Sequence, residues 1–318
     1  MDVSAALPRF DELPFVEGLP LRHAWDVFGR SDNLGTLNLL DGTAVCRGLG
    51  AARTGERIPL TMPLTRPDPP LFGRQRVEQT VINLDRNIWD DRLDCLFTQA
   101  STQWDGFRHV RCREHGFWTG VTADPPDMEE GRLGIEHFAA GIIGRGVLLD
   151  VYNRLAAAGR GYEPFGGVAL SAGDLRETAE AEGVEILPGD VLCVRVGWQH
   201  GYARLTAEEK EALGAPDAAL RYTGLSGSEA MAELLWNWHV AALACDNPSV
   251  EVVPGDPAVG SLHRRLLPLL GVVLGELFDF ETLSRRCAEE GRWTFAFIGI
   301  PIHMPGGLGS PANSVAVL

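Results

Sequence analysis

Residues 98–110, TQASTQWDGFRHV, set Gln99, Gln103, Asp105 and His109 at intervals of four, two and four. An aspartate and a histidine at that spacing could ligate a divalent cation or pass a proton between them. The two glutamines are weaker donors, because an amide oxygen is neutral and hard where an imidazole suits zinc. If residues 101–105 are extended, Gln103 and Asp105 share one face of a strand. If the chain turns helical next, Asp105 and His109 are neighbours at i and i+4. The spacing therefore predicts a strand-to-helix junction at Trp104–Gly106, with Gly106 permitting the bend.

Two further groups of acids and histidines complete the inventory. CDNPSVE supplies Asp246 and Glu251, and His263 precedes Glu276 in HRRLLPLLGVVLGELF. Glu276 lies within an otherwise apolar run, where a carboxylate is costly unless paired or metal-bound; the wet face of an amphipathic helix would also accommodate it. Trp25, Trp104, Phe107, Trp118 and Trp198 are candidate walls for a flat substrate, and each is equally a candidate core residue.

The elements that must position these groups follow from local patterning. SAGDLRETAEAEG (171–183) opens on a capping box and stops at glycine, which predicts a helix; TAEEKEALG (206–214) repeats the device. AAGIIGRGVLLDVY (139–152) and LPGDVLCVRVGW (187–198) read as buried strands. SGSEAMAELLWNWHVAALACDNPSVE (226–251) reads as helix, then a strand from Val240 to Cys245, then a polar turn. That order places Asp246 and Asn247 at a strand's carboxyl end, where ligands gather in α/β sheets. Residues 263–291 hold one long apolar element and a charged helix opening near Asp279; the tail adds two strands around a Gly/Pro loop. Residues 1–75 read as a wrapping arm with one or two strands, and 76–318 as a single α/β catalytic domain.

With 45% hydrophobic and 22% charged residues, the chain reads as globular rather than disordered. A net charge of −15 with no basic stripe argues against nucleic acid as a partner. The apolar run after Arg265 is broken by Pro268, Gly271 and Gly275, well short of the roughly 20 residues a membrane span needs. MDVSAALPRFDELPF has acids and prolines where a signal peptide needs bases and an apolar run. Six scattered cysteines without a CxxC pair read as reduced thiols, so a cytoplasmic location is expected.

Taken together these segments resemble the cyclase family of kynurenine formamidase-like and isatin hydrolase-like metal-dependent hydrolases, whose motif is close to His-x-Gly-Thr-His-x-Asp-x-Pro-x-His. On it, Gln99 and Gln103 fall on the first two histidines, Asp105 on the aspartate and His109 on the last histidine. DNLGTLNLL, GRGVLLDV, PGDVLCVRVGW, DNPSVEVVP and GGLGSPANSVAV extend the similarity over nearly the whole chain, as in a longer, Gln-bearing branch. The resemblance implies a swivelling β/β/α-type fold with a mixed sheet, assembled as a homodimer or homotetramer. It implies a metal ligand set of Gln99, Gln103, Asp105, His263 and Glu276, with His109 as general base or acid. The implied substrate is a small cyclic or aromatic amide, formamide or lactone, with Trp25, Trp104, Phe107 and Trp118 as substrate-binding walls. Exchanging two imidazoles for amides weakens zinc and leaves charge for one divalent ion, manganese or zinc, or for none. Two further readings stand beside this one. The first is a metal-independent His–Asp cyclase or lyase of an aromatic or polyketide-like molecule, and the second is a non-catalytic small-molecule binder.

Overall fold

The computed structural model describes residues 7–318. Its strands are, in chain order, β1 (Arg57–Pro59), β2 (Glu78–Asn83), β3 (Trp89–Asp94), β4 (Gln103–Asp105), β5 (Ile142–Leu149), β6 (Ala169–Leu170) and β7 (Val191–Val194). They continue with β8 (Gly224–Leu225), β9 (Ala242–Cys245), β10 (Val273–Glu276), β11 (Thr294–Gly299), β12 (Gly309–Pro311) and β13 (Ser314–Val317). Nine of them form one mixed sheet in the order β1-β13-β11-β5-β7-β9-β10-β4-β12. The central run β5-β7-β9-β10 is parallel, and both wings are antiparallel. The parallel strands are buried throughout β7, β9 and β10, as continuous apolar runs with both faces covered must be. The fold is the mixed α/β architecture expected from the sequence.

The crossovers run through the helices the caps foretold. Ser171 accepts from the Asp174 amide at the start of the helix Ala172–Glu182, and Gly183 ends it with φ 65°. Thr206 caps Ala207–Leu213 in the same way, and Ser228 caps Glu229–Asn237 ahead of β9. The stretch around Pro268 departs from the single apolar element expected there. It is a short helix, Leu262–Arg265, then a π-turn over Leu266–Leu270, a left-handed Gly271 and finally β10. Length and hydropathy alone do not separate a buried helix from a buried strand, so the break is carried by Pro268 and Gly271. The tail holds three strands rather than two, because β12 is too short to stand out from the Gly/Pro loop.

Residues of the 7–75 segment feed the same core as the rest of the chain. Phe10, Leu13, Val16, Leu37, Ile58 and Leu60 are buried in it, the Ala24 amide donates to Leu269, and β1 closes one sheet edge against β13. Gly35 approaches the Gly271 carbonyl so closely that a Cβ there would lie 2.1 Å from its oxygen. One feature was absent from the sequence reading: β2 and β3 form a separate hairpin that exposes Val81, Leu84, Ile88, Trp89 and Leu93. No helix among the described residues is long and apolar enough to cross a membrane. All six cysteines are free thiols, four of them buried.

Candidate metal and acid–base centre

β4 lies between β10 and β12, and its register sets the site. Gln103 pairs with Glu276, Trp104 with Gly275 and Asp105 with Leu274. Pleating sends Trp104 away from its two neighbours, into the core against Phe278 and Phe297 at 5.0 and 6.0 Å between ring centroids. Gly275 gives the ring room, since a Cβ there would sit 2.8 Å from it. Gln103 and Asp105 are thereby left on the other face beside Glu276, and the Gln103 amide nitrogen donates to Glu276 Oε2.

The expected helix after Trp104 does not form. Residues 106–109 make a turn in which the His109 amide donates to the Gly106 carbonyl at 3.0 Å, and this still brings His109 Nε2 to 3.7 Å from Asp105 Oδ1. Gly106 serves by close approach rather than by bending: its amide donates to Leu308, and a Cβ would meet the Leu308 oxygen at 2.9 Å.

His263 arrives from the Leu262–Arg265 helix. Its Nε2 stands 3.0 Å from Glu276 Oε1 and 3.8 Å from Asp105 Oδ2, and its Nδ1 stands 3.0 Å from Glu251 Oε1. Glu251 fixes that helix as well as the ring, accepting from Ser261 Oγ, the Leu262 amide and the His263 amide. A carboxylate on the far nitrogen sets an imidazole's tautomer and orientation, as is usual for metal-ligating histidines. Val250 and Leu277, flanking Glu251 and Glu276, take left-handed φ of 56° and 54°. Such backbone is strained in a β-branched residue and gathers at functional sites.

Electrostatics bind the cluster together. Burial pushes Glu276 upward, and the Asp105 charge adds to that against the pull of His263 and His109. Burial also raises Asp105, but the His109 and His263 imidazoles and the Arg74 guanidinium outweigh it and hold its carboxyl below the ordinary range. His263 is held well above the imidazole range, because Asp105, Glu251 and Glu276 outweigh its burial.

One ligand atom each from Asp105, His263 and Glu276 fall within 4.8 Å of one another. Both carboxylate oxygens of Asp105, together with Gln103 Oε1, Tyr222 Oη and Asn247 Oδ1, are buried without a hydrogen-bond partner. Orphaned buried acceptors ask for a missing cation or water. Two carboxylates and an imidazole are a donor set suited to a divalent ion. The residues present therefore fit one such ion.

The other expected site residues lie elsewhere. The half-buried Gln99 bonds the Thr98 hydroxyl through Oε1 and makes no hydrogen bond to either carboxylate; its amide nitrogen packs on Gly309, the backbone partner of Asp105. Trp25, Trp104, Phe107 and Trp118, expected as substrate-binding walls, are packed in the core and at most 8% exposed. Phe107 packs on Trp118 and Phe138, and the Trp25 and Trp118 indoles are spent on Pro268 O and Asp32. Rings of that area are most stable fully buried once their N–H is satisfied, although Trp104 Nε1 itself stays unpartnered. Trp198 likewise stacks on Tyr202 inside the fold. Asp246 accepts from the Val196 and Gly197 amides at 2.6 and 2.9 Å, fastening β9 to the end of β7, with its carboxyl pushed up to about 7 by burial. Sequence reading missed Arg74 and Tyr222, for which no motif gave a sign.

Residues 58–252 match the family described as "Putative cyclase". A crystal structure described as a novel cyclase is 26% identical, superposes with a TM-score of 0.81, and is matched over 93% of this chain and 99% of its own. Isatin hydrolase A from Labrenzia aggregata, bound to benzyl benzoate, is 17% identical with a TM-score of 0.56, over 88% of this chain and 98% of its own. Isatin hydrolase A from Ralstonia solanacearum is 13% identical with a TM-score of 0.53, over 82% and 91%. No curated protein matches the chain.

Proposed function

The chain belongs to the cyclase family, and on that premise we propose that it is a hydrolase of small cyclic or aromatic amides, formamides or lactones, working with one divalent ion. The observation that carries this reading is the convergence of Asp105, His263 and Glu276, with both Asp105 oxygens free of any partner. These three would hold the ion, manganese or zinc, while the Gln103 amide steadies Glu276. Bound there, a divalent ion supplies Lewis acidity and makes water a nucleophile near neutral pH.

The remaining work belongs to the chain. His109 is 28% exposed, more than the ligand side chains, so it can reach a substrate from the open side of the cluster. It takes the proton of the attacking water and returns it to the departing nitrogen or oxygen. Asp105 Oδ1 stands 3.7 Å from its Nε2, so the ring and the ligand cluster share one side of the turn. Glu251 and the backbone amides around Ser261 keep His263 in place.

His109→Ala should lower kcat by about 10²–10⁴-fold while the metal content stays the same. Full turnover in that variant would remove the assignment. The His109–Asp105 pair also favours a second reading, a metal-independent cyclase or lyase of an aromatic or polyketide-like molecule. Activity that survives exhaustive chelation would select it. We further propose that the protein works in the cytoplasm as a homodimer or homotetramer. Its six free thiols and the apolar side chains exposed on the β2–β3 hairpin support that reading.

A further inference from the structure

A cavity of about 110 Å³ opens between the Pro-rich loop after β1 and the segment that runs from β3 into β4. None of Asp105, His109, His263 or Glu276 lines it. Its walls are chiefly apolar, from Leu64, Pro70, Val77, Leu96, Phe97 and Ala100. Leu64, Leu96 and Phe97 are still 37%, 40% and 42% exposed, so the chain itself leaves part of this apolar surface uncovered.

The polar groups in the wall are already committed. Thr98 Oγ1 donates to Gln99 Oε1 at 2.9 Å, Ser101 Oγ to the Pro63 carbonyl at 3.1 Å and Thr102 Oγ1 to the Leu277 carbonyl at 2.6 Å. Thr102 Oγ1 also accepts from the Met62 amide. Arg76 pairs with Asp68 at 2.6 Å and with Glu211 at 3.0 Å. Thr65 and Gln75 are exposed, so water already serves them. A charged occupant would therefore lose its hydration without finding a free partner. What remains is apolar contact, and the space is of the right order for one ring, since an apolar cavity of about 150 Å³ takes up benzene.

We propose that this cavity is a binding site for a small uncharged molecule of one ring, separate from the metal centre. It does not depend on the hydrolase reading. Its floor nevertheless adjoins the centre's scaffold: Thr102 precedes Gln103, Pro311 pairs with Gln103 across β12 and β4, and the Leu277 carbonyl that Thr102 bonds follows Glu276.

Cys95 lies in the same wall and supplies the readout. Of the six thiols, Cys46 and Cys95 are exposed and the other four are buried. Cys46 sits in the helix Gly42–Leu49, outside the cavity, and serves as an internal control. The EDTA-treated full chain is reacted with N-ethylmaleimide in the presence of toluene or benzoate, and each thiol is followed by peptide mass spectrometry. Toluene, within its millimolar solubility, should slow modification of Cys95 at least about threefold, which one site reaches at twice its dissociation constant. Cys46 should be unaffected, and benzoate should protect neither thiol. Ala100→Phe, which fills the space with a ring of its own, should remove the effect of toluene, whereas Ala100→Ser and Asp105→Asn should retain it. Ala100→Met fills the same space if the phenylalanine variant has a lowered Tm. No protection by toluene, equal protection by benzoate, or protection that survives both filling variants would overturn the assignment. Loss of protection in Asp105→Asn would overturn the separation from the metal centre. Slowing of Cys95 by rising protein concentration alone would place a second copy's side chain in the cavity and overturn it too.

Discussion

Glu251 shows how a residue outside the ligand set can govern it. It bonds His263 Nδ1, both backbone amides at the start of the following helix and Ser261 Oγ, so the ring has one orientation available. Glu251→Gln keeps one acceptor oxygen but sets an amide nitrogen against donors. Metal affinity should fall about 10–100-fold, measured by competition with a chelating dye, with His109 untouched. An unchanged affinity would mean that His263 is held by Glu276 alone. Asp105 and His109 were legible from residue type and spacing, and Glu276, with His263 ahead of it, because an acid inside an apolar run is conspicuous. The job of Glu251 was not, since it depends on a fold that closes a loop between residues 251 and 263. Aromatic type was an ambiguous sign, and Trp25, Trp104, Phe107 and Trp118 are in the core. Arg74 lay in a Pro-rich loop whose path no periodicity describes.

At the scale of elements, caps and glycine stops placed the helices well, and the register of β4 against β10 did the rest. The pairing of Gln103 with Glu276 is a long-range fact, and no local pattern carries it. The turn at 106–109 gives the same Asp105–His109 proximity as the expected helix would, so the spacing succeeded for a different geometric reason. The end of the helix Ala172–Glu182 holds a pH-sensitive support for the sheet. Glu182 Oε1 accepts from the Asp150 amide, where β5 ends, and burial pushes its carboxyl up to about 8 despite that bond. A folded-state value above the unfolded one means that this group's contribution is complete below about pH 4.5. The contribution is lost as pH rises through about 8. Glu182→Gln should therefore match the wild type in Tm near pH 4.5 and exceed it at pH 9. The gain should be about 1–2 kcal/mol, after discounting for partial exposure. A Tm difference that does not change with pH would show that Glu182 is solvated in the folded state.

For the whole molecule, a parallel core of four strands with antiparallel wings brings acids from distant parts of the chain to one place. Asp105 comes from the β4 wing, Glu276 from the end of β10, and His263 from the crossover between β9 and β10. The mixed α/β class was legible because buried runs alternate with capped helices. The β2–β3 hairpin was not, because its exposed apolar residues lack the one-sided alternation that marks a half-buried strand. The central claim is that this convergence holds one divalent ion. Calorimetric titration of EDTA-stripped protein with Mn²⁺ tests it most directly, comparing the wild type with Asp105→Asn. The account predicts one site per chain in the wild type and at least about a hundredfold loss of affinity in the variant, which keeps the shape but gives up the negative charge. A wild type that takes up no ion, or a variant that binds as the wild type does, would contradict it.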